Sequence, residues 1–188
     1  MTDVEIIDLD RDRQDIIPQV ATLLFEGFQT HYPDAWPNLA AALQEVEQSF
    51  DSDRISRIAI NKQGKVLGWI GAIKQYNGNV WELHPLIVHP DYQQQGIGKA
   101  LVTDLEHQIS QRGGITLWVG TDDEDNRTTL SGINLYPDVS AHIANIKNLG
   151  NHPYEFYQKC GFVIVGVMPD ANGFGKPDIY MAKRIAKT

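Results

Sequence analysis

The stretch Val88–Leu101, VHPDYQQQGIGKAL, decides the fold that this chain can adopt. An apolar, strand-like run ends at a proline, a polar turn follows, and Gly96 and Gly98 introduce an amphipathic helix. The first amides of a helix lack intrahelical partners and carry partial positive charge, so anions bind there. The backbone from Gln94 to Lys99 is therefore predicted to wrap a diphosphate. The alternative is that the glycines form only a tight turn between strand and helix.

Patterns on both sides of this stretch predict one α+β (mixed α/β) domain over residues 1–188. Two turn signals, Gln63-Gly64 and Asn77-Gly78, separate β-rich runs and indicate an antiparallel meander. The helix after the glycine turn leads into a further strand, and such a crossover predicts a locally parallel pair. The predicted strands are Val4–Leu9, Ile55–Asn61, Lys65–Lys74, Val80–Val88, Ile115–Gly120, Phe162–Met168 and Ile179–Lys183. The predicted helices are Asp15–Phe28, Pro37–Phe50, one from the glycine turn, one near Val139–Leu149, and His152–Lys159.

Composition narrows the classes of partner. The chain is 42% hydrophobic and carries a net charge of −8. We find no basic patch, which argues against nucleic acid or an anionic membrane as partner and favours a cationic small molecule. The single cysteine, Cys160, cannot form an internal disulfide, and no stretch is long and apolar enough to span a bilayer. We therefore expect a cytoplasmic protein.

Two motifs in this order resemble the GNAT superfamily of acyl-CoA-dependent N-acetyltransferases. They are Gln93-x-x-Gly96-x-Gly98 after the meander and Tyr157-Gln158-Lys159-Cys160-Gly161-Phe162 near the end of the chain. The resemblance implies a central, mostly antiparallel sheet with a splayed parallel strand pair, flanked by helices. It also implies acetyl-CoA as co-substrate and no metal.

The same resemblance assigns the coenzyme contacts. Amides of the glycine turn would hold the pyrophosphate, and the end of the preceding strand would pair with the pantetheine arm as an added strand would. Asn151 is included as the asparagine that such enzymes place before the tyrosine helix. The implied coenzyme-binding residues are Leu86, Ile87, Val88, Gln93, Gln94, Gln95, Gly96, Ile97, Gly98, Lys99 and Asn151.

Acetyl transfer to an amine requires an uncharged lone pair and a proton for the departing thiolate. Tyr157 matches the tyrosine of the family motif and could supply that proton, unless it is a core residue of its helix. Glu82 and His84 lie two apart on a predicted strand and so share a face. They interrupt an otherwise apolar strand, and could accept the proton of the amine, orient it, or form a satisfied polar pair within the sheet.

An acidic tract, Asp122-Asp123-Glu124-Asp125, follows the strand predicted from Ile115. Adjacent acids repel one another unless solvent screens them or a polycation compensates them. The tract is thus either a solvated loop or a cation site. Trp36 could add a stacking wall to such a site, or could simply pack against a helix.

Longer motifs narrow the resemblance to the aminoglycoside 6′-N-acetyltransferases. It implies direct attack of the 6′-amino group on acetyl-CoA in a ternary complex, antibiotic resistance and a homodimer. Asp122 and Asp123 would anchor ammonium groups, with Trp36, Glu82 and Glu155 near the sugar rings. The motifs are Trp36-Pro37, Gly68-Trp69-Ile70-Gly71, Trp81-Glu82-Leu83-His84-Pro85-Leu86, Gly120-Thr121-Asp122-Asp123-Glu124, the run His152–Lys159, and Asn172-Gly173 with Lys176-Pro177-Asp178-Ile179.

Two other functions fit the same residues. One is an acetyltransferase whose acceptor is a polyamine or a peptide amine, with drug acetylation incidental. The other is a non-catalytic module that binds acyl-CoA or a polycation, because a fold alone does not determine function. The residues also leave open the general base, the preferred aminoglycoside, the order of substrate binding and whether resistance is the native role.

Overall fold

The computed structural model describes residues 4–186 of the chain. Its contacts divide these residues into two compact units, one formed by 4–115 with 185 and 186, the other by 116–184. The mixed α/β class and the antiparallel meander are confirmed. The prediction of a single domain stays a prediction.

The first unit is built on a four-stranded antiparallel meander in which each strand pairs with the next. Its strands are β1 (Val4–Asp8), β2 (Arg54–Asn61), β3 (Val66–Gln75) and β4 (Val80–Val88). Its helices are α1 (Ile17–Phe28), α2 (Leu39–Gln48) and α3 (Ile97–Gln111).

Helices cover this meander on both faces because side chains alternate along each strand. On β2, Ile58 lies in the buried cluster with α1 and α2, while its neighbour Arg57 points the other way and contacts Asp104 of α3. On β3, Trp69 belongs to the α1 cluster, and a Cβ on Gly68 would meet Leu101 of α3 at 2.9 Å. The pairing of β3 with β4 shifts register between Ile70 and Ala72, so β4 does not keep a single alternation along its length.

The second unit contains a three-stranded antiparallel sheet with β7 in the middle. Its strands are β5 (Thr116–Asp122), β6 (Val163–Met168) and β7 (Asp178–Arg184), and its helices are α4 (Val139–Ala144) and α5 (Tyr154–Lys159). Strand β5 runs two residues further than predicted, since Thr121 pairs with Ile179 and Asp122 with Asp178. The first acid of the acidic tract therefore belongs to a strand.

Two classes of feature are missing from residues 4–186. None of their helices combines the length and the apolar character that crossing a membrane requires. Nor does that part of the chain bring together three or more His, Cys, Asp or Glu side chains that could hold a metal ion.

Candidate active site

The glycine turn presents the N-terminus of α3 with open space beside it. Gln94 and Gly96 have φ angles of 59° and 88°, and α3 begins at Ile97. The amide of Ala100 donates to the carbonyl of Gly96 at 3.0 Å. The amides of Ile97, Gly98 and Lys99 come before this bond and form the N-terminal end of the helix. A Cβ on Gly96 would meet nothing within 4 Å. The N-terminus of α3 is therefore open beside Gly96, where an anion could approach the backbone.

Two glutamine side chains donate hydrogen bonds to backbone carbonyls in and before this turn. Gln93 Nε2 donates to the carbonyl of Val88 at 3.1 Å, and Gln95 Nε2 donates to that of Asp91 at 3.1 Å. On the strand that precedes them, Leu86 and Val88 are half-buried. The side chains of Gln93 and Gln95 thus hold the backbone of the turn, and the amide of Gln93 itself donates to the carbonyl of Pro90 at 3.2 Å.

Glu82 and His84 share a half-exposed face of β4, as predicted, while their neighbours Trp81, Leu83 and Pro85 are buried. Glu82 Oε2 accepts a hydrogen bond from Gln75 Nε2 at 2.6 Å. Burial raises the pKa of Glu82, against the opposing effects of His84, Arg54 and the Gln75 bond. A carboxylate with a raised pKa accepts a proton more readily than an ordinary glutamate does.

Glu45 of α2 completes this polar cluster and was missed by sequence reasoning. Its Oε1 lies 2.9 Å from Nη1 of Arg54 and 3.7 Å from Nε2 of His84. Burial opposes its ionisation, but His84 and Arg54 outweigh that effect and hold the pKa of Glu45 below its ordinary value. Its position in the sequence could have indicated this role. Glu45 lies beside Val46 and three residues after Ala42, on the buried side of an amphipathic helix.

Trp36 packs against a helix, and its role as a wall for a cation site stays a prediction. Its side chain is buried and meets Phe28 of α1 edge-on, with ring centroids 4.6 Å apart. The centroid of the same indole lies 5.8 Å from that of the His84 ring. Helix packing therefore fixes an aromatic wall beside the Glu82 and His84 cluster.

The acidic tract of the second unit finds partners within its own unit. Asp122 accepts from Asn172 Nδ2, Asp125 pairs with Arg127, and Glu124 lies 3.9 Å from Lys176 Nζ. These contacts, with those of Asp123, relieve the repulsion that the sequence implied.

Asp123 lies beneath the loop instead of on its surface. It is 0% exposed, and its two carboxylate oxygens accept from the amides of Arg127 and Thr128, each at 2.8 Å. Asp122, by contrast, is half-buried at the end of β5. The tract therefore contains one acid that shapes the loop and another that is accessible to a ligand.

Helix α5 carries the predicted tyrosine. Tyr157 is buried, with its ring centroid 5.5 Å from that of Phe162, whereas Glu155 on the same helix is exposed. Asn151 is exposed, with φ 56°. The turn before α5 is held by Asn148, whose side chain accepts from the amide of His152 and donates to its carbonyl.

Comparison with known proteins gives these arrangements a context. A sequence model for the acetyltransferase (GNAT) family matches residues 18–136. A curated relative, the ribosomal protein bS18-alanine N-acetyltransferase of Escherichia coli (strain K12), is 31% identical over 104 residues, which are 54% of this chain. The chain spans 66% of the length of the curated relatives it matches.

Two solved structures are similar along nearly the whole chain. One is a crystal structure of aminoglycoside 6′-N-acetyltransferase complexed with coenzyme A, with a TM-score of 0.89. The other is the aminoglycoside 6′-N-acetyltransferase from Enterococcus faecium, with a TM-score of 0.88. Each is 42% identical to this chain, and each comparison covers 98% of both chains.

Proposed function

Because the chain belongs to the GNAT acetyltransferase family, we propose that it transfers the acetyl group of acetyl-CoA to the 6′-amino group of aminoglycosides. The observation that carries this proposal is the likeness, along nearly the full length of both chains, to two aminoglycoside 6′-N-acetyltransferases. The amine attacks the thioester carbonyl directly in a ternary complex, the carbon–sulfur bond breaks, and coenzyme A leaves as a thiol.

The donor binds at the glycine turn. Backbone amides from Gln94 to Lys99 hold its pyrophosphate, whereas the amide of Gln93, also predicted to do so, donates to the carbonyl of Pro90. The backbone from Leu86 to Val88 pairs with the pantetheine arm. The left-handed conformation of Gly96 and the open space beside it support this assignment. Asn151 completes the set of predicted donor contacts.

Side chains of β4 and α5 carry out the proton transfers. Glu82, whose pKa burial raises, accepts the proton that the substrate ammonium must lose before the amine attacks, and His84 orients the amine beside it. Tyr157 gives its phenolic proton to the leaving thiolate, since the reference pKa values of a phenol and a thiol differ by only about 1.5 units. The phenolate is reprotonated by the second proton that the nitrogen loses as the amide forms.

Acidic side chains bind the cationic acceptor. Asp122 anchors an ammonium group, Asp123 contributes by holding the loop beneath it, and Glu155 and Trp36 lie near the sugar rings. The net charge of −8 favours encounter with a polycation. The buried carboxylate of Asp123 supports a shaping role, because two backbone amides already occupy its oxygens.

A thiol-release assay with acetyl-CoA tests the proposal across matched aminoglycosides with a 6′-amino or a 6′-hydroxyl group. We expect turnover with the first set and only background release with the second. Equal release from both sets would rule out the 6′ position as the site of transfer.

A peptide amine is a second candidate acceptor, favoured by the 31% identity over 104 residues with the ribosomal protein bS18-alanine N-acetyltransferase. Comparing kcat/KM for kanamycin, spermidine and an alanine-initiated peptide decides between the acceptors. A protein that binds coenzyme A yet releases no thiol with any of these amines would be a binding module.

A homodimer belongs to the same proposal. Strand β6 lies at the end of its sheet, and it exposes Val163, Val165 and Met168. Light scattering should therefore give twice the chain mass for the wild type, and Val165→Lys should lower that mass, whereas Leu39→Lys on α2 should not.

Resistance and a cytoplasmic location are proposed with this activity, because acetyl-CoA is a cytoplasmic metabolite. Expression in a susceptible bacterium should raise the inhibitory concentration of kanamycin, and fractionation of those cells should recover the protein with the cytoplasm.

A further inference from the structure

A buried histidine outside the reacting groups joins two parts of the second unit. His152 is 2% exposed. Its Nε2 lies 2.9 Å from the backbone carbonyl of Asp122, and its Nδ1 lies 3.3 Å from the backbone amide of Tyr154. The ring therefore bridges the end of β5 and the first turn of α5.

These two contacts determine the tautomer of the ring. A backbone amide can only donate, so Nδ1 must carry a lone pair toward Tyr154. A carbonyl can only accept, so Nε2 must carry the hydrogen toward Asp122. Both bonds form only with the neutral ring protonated at Nε2, and a proton on Nδ1 would remove the bond to Tyr154.

The residues that the ring connects are those that the proposed function needs in fixed positions. Asp122 carries the carboxylate assigned to the acceptor, and Tyr154 is the first residue of the helix that carries Glu155 and Tyr157. The backbone of His152 is itself fixed, because the side chain of Asn148 binds both its amide and its carbonyl.

We propose that His152 is a positioning residue for acetyl transfer, which through two separate hydrogen bonds holds Asp122 for the acceptor and α5 for Tyr157. This inference rests on the proposed function. The bond from Nε2 serves acceptor binding, and the bond to Nδ1 serves the catalytic step.

Burial keeps the ring in the neutral form that the two bonds require. Burial lowers the pKa of His152, the hydrogen bond to Asp122 and the charges of Asp123 and Asp125 act in the opposite direction, and Arg127 acts with burial. The net direction is downward, so the ring is neutral at and above neutral pH.

Two substitutions separate the bonds because each amide side chain reproduces one ring nitrogen. In His152→Asn, Oδ1 occupies the place of Nδ1 and can accept from Tyr154, while the bond to Asp122 is lost. In His152→Gln, Nε2 occupies the place of the ring Nε2 and can donate to Asp122, while the bond to Tyr154 is lost.

Steady-state kinetics with kanamycin should then split between the variants. We expect His152→Asn to raise KM about 3- to 10-fold at nearly unchanged kcat, and His152→Gln to lower kcat by a similar factor with a smaller rise in KM, because α5 also carries Glu155. Calorimetric binding of kanamycin should weaken more in the Asn variant than in the Gln variant. Equal changes in both constants in both variants, or no change in either, would overturn the inference.

The ring nitrogens of the wild-type protein provide a test that needs neither turnover nor a variant. ¹⁵N chemical shifts should show Nε2 protonated and Nδ1 unprotonated at pH 7, and this pattern should persist below the ordinary histidine pKa of about 6.5. A protonated Nδ1 at pH 7 would refute the positioning role. A wild type with this tautomer that releases no thiol would instead refute the proposed function.

Discussion

Glu45 of α2 places one carboxylate oxygen 2.9 Å from Arg54 and 3.7 Å from Nε2 of His84. The Glu45–His84 contact is longer than a hydrogen bond and within the range of an ion pair. Glu45 and Arg54 are both largely buried. Glu45 on α2 thus contacts β2 through Arg54 and β4 through His84, the residue assigned to amine orientation.

Glu45→Gln should destabilise the protein because it removes a charged partner and leaves the Arg54 guanidinium buried without it. We expect a loss of about 1.5–3 kcal/mol in the free energy of unfolding at pH 7, measured by urea denaturation. The matched control is Glu47→Gln on the exposed side of the same helix, which should change stability by less than about 0.5 kcal/mol.

The loss of stability caused by Glu45→Gln should depend on pH. The pKa of Glu45 is lower in the folded state than its ordinary value of 4.5, so its contribution is present above that pH and is lost as pH falls through the folded-state pKa. Stability curves of wild type and variant should therefore converge toward acid pH. Parallel curves from pH 7 to pH 3 would contradict the ion-pair account.

Glu82 should set the acidic limb of the pH profile of kcat/KM. Burial raises its pKa, so the ionised form that accepts a proton is lost at a higher pH than for an ordinary glutamate. Glu82→Gln should lower kcat/KM about 10²- to 10⁴-fold.

Gln75→Leu tests more directly whether the acidic limb reports the titration of Glu82. It removes the hydrogen bond that lowers the Glu82 pKa, and should move the limb further toward neutral pH while activity at high pH survives. A limb that stays in place in this variant would assign the titration to another group.

Asp122→Asn should weaken acceptor binding, because an amide cannot attract an ammonium group as a carboxylate does. We expect the KM for kanamycin to rise about tenfold or more, in line with the loss of a charged hydrogen bond. Glu124→Gln makes the same change of charge two residues away and should leave KM within about a factor of two. Equal effects of the two variants would indicate a diffuse field instead of a defined contact.

Asp123→Asn should lower the stability of the protein, in contrast to the effect of Asp122→Asn on acceptor binding. An asparagine keeps one acceptor oxygen for the amides of Arg127 and Thr128, and the second buried amide loses its partner. We expect a cost of about 1–3 kcal/mol in the free energy of unfolding. Thermal unfolding followed by circular dichroism gives the measurement, and a variant as stable as wild type would show that the loop can rearrange.

Gly96→Ala should raise the KM for acetyl-CoA, since a methyl group would stand where the diphosphate approaches the backbone. Gly64→Ala is a matched control, because Gly64 also has a positive φ and no atom within 4 Å of an added Cβ. Both variants should lose about 1 kcal/mol of stability through backbone strain. A KM that rises equally in both would argue against an anion site at Gly96.

The sequence alone determined the features that depend on residues close together along the chain. Val88–Leu101 predicts its own strand, turn and helix, because glycine conformation and helical periodicity act over a few residues, and the structure confirms a helix from Ile97. The alternation on β4 likewise places Glu82 and His84 on one face. The family was evident from these motifs, and the match over residues 18–136 confirms it.

Only the tertiary structure decided what each acid does. Asp122 and Asp123 are adjacent and chemically identical, yet one ends a strand half-buried and the other is fully buried beneath Arg127 and Thr128. Glu45 meets His84 because a helix packs against a sheet, and His152 meets Asp122 because the chain returns after a long loop. Burial and hydrogen-bond partners arise from residues distant along the chain, so residue type alone cannot specify them.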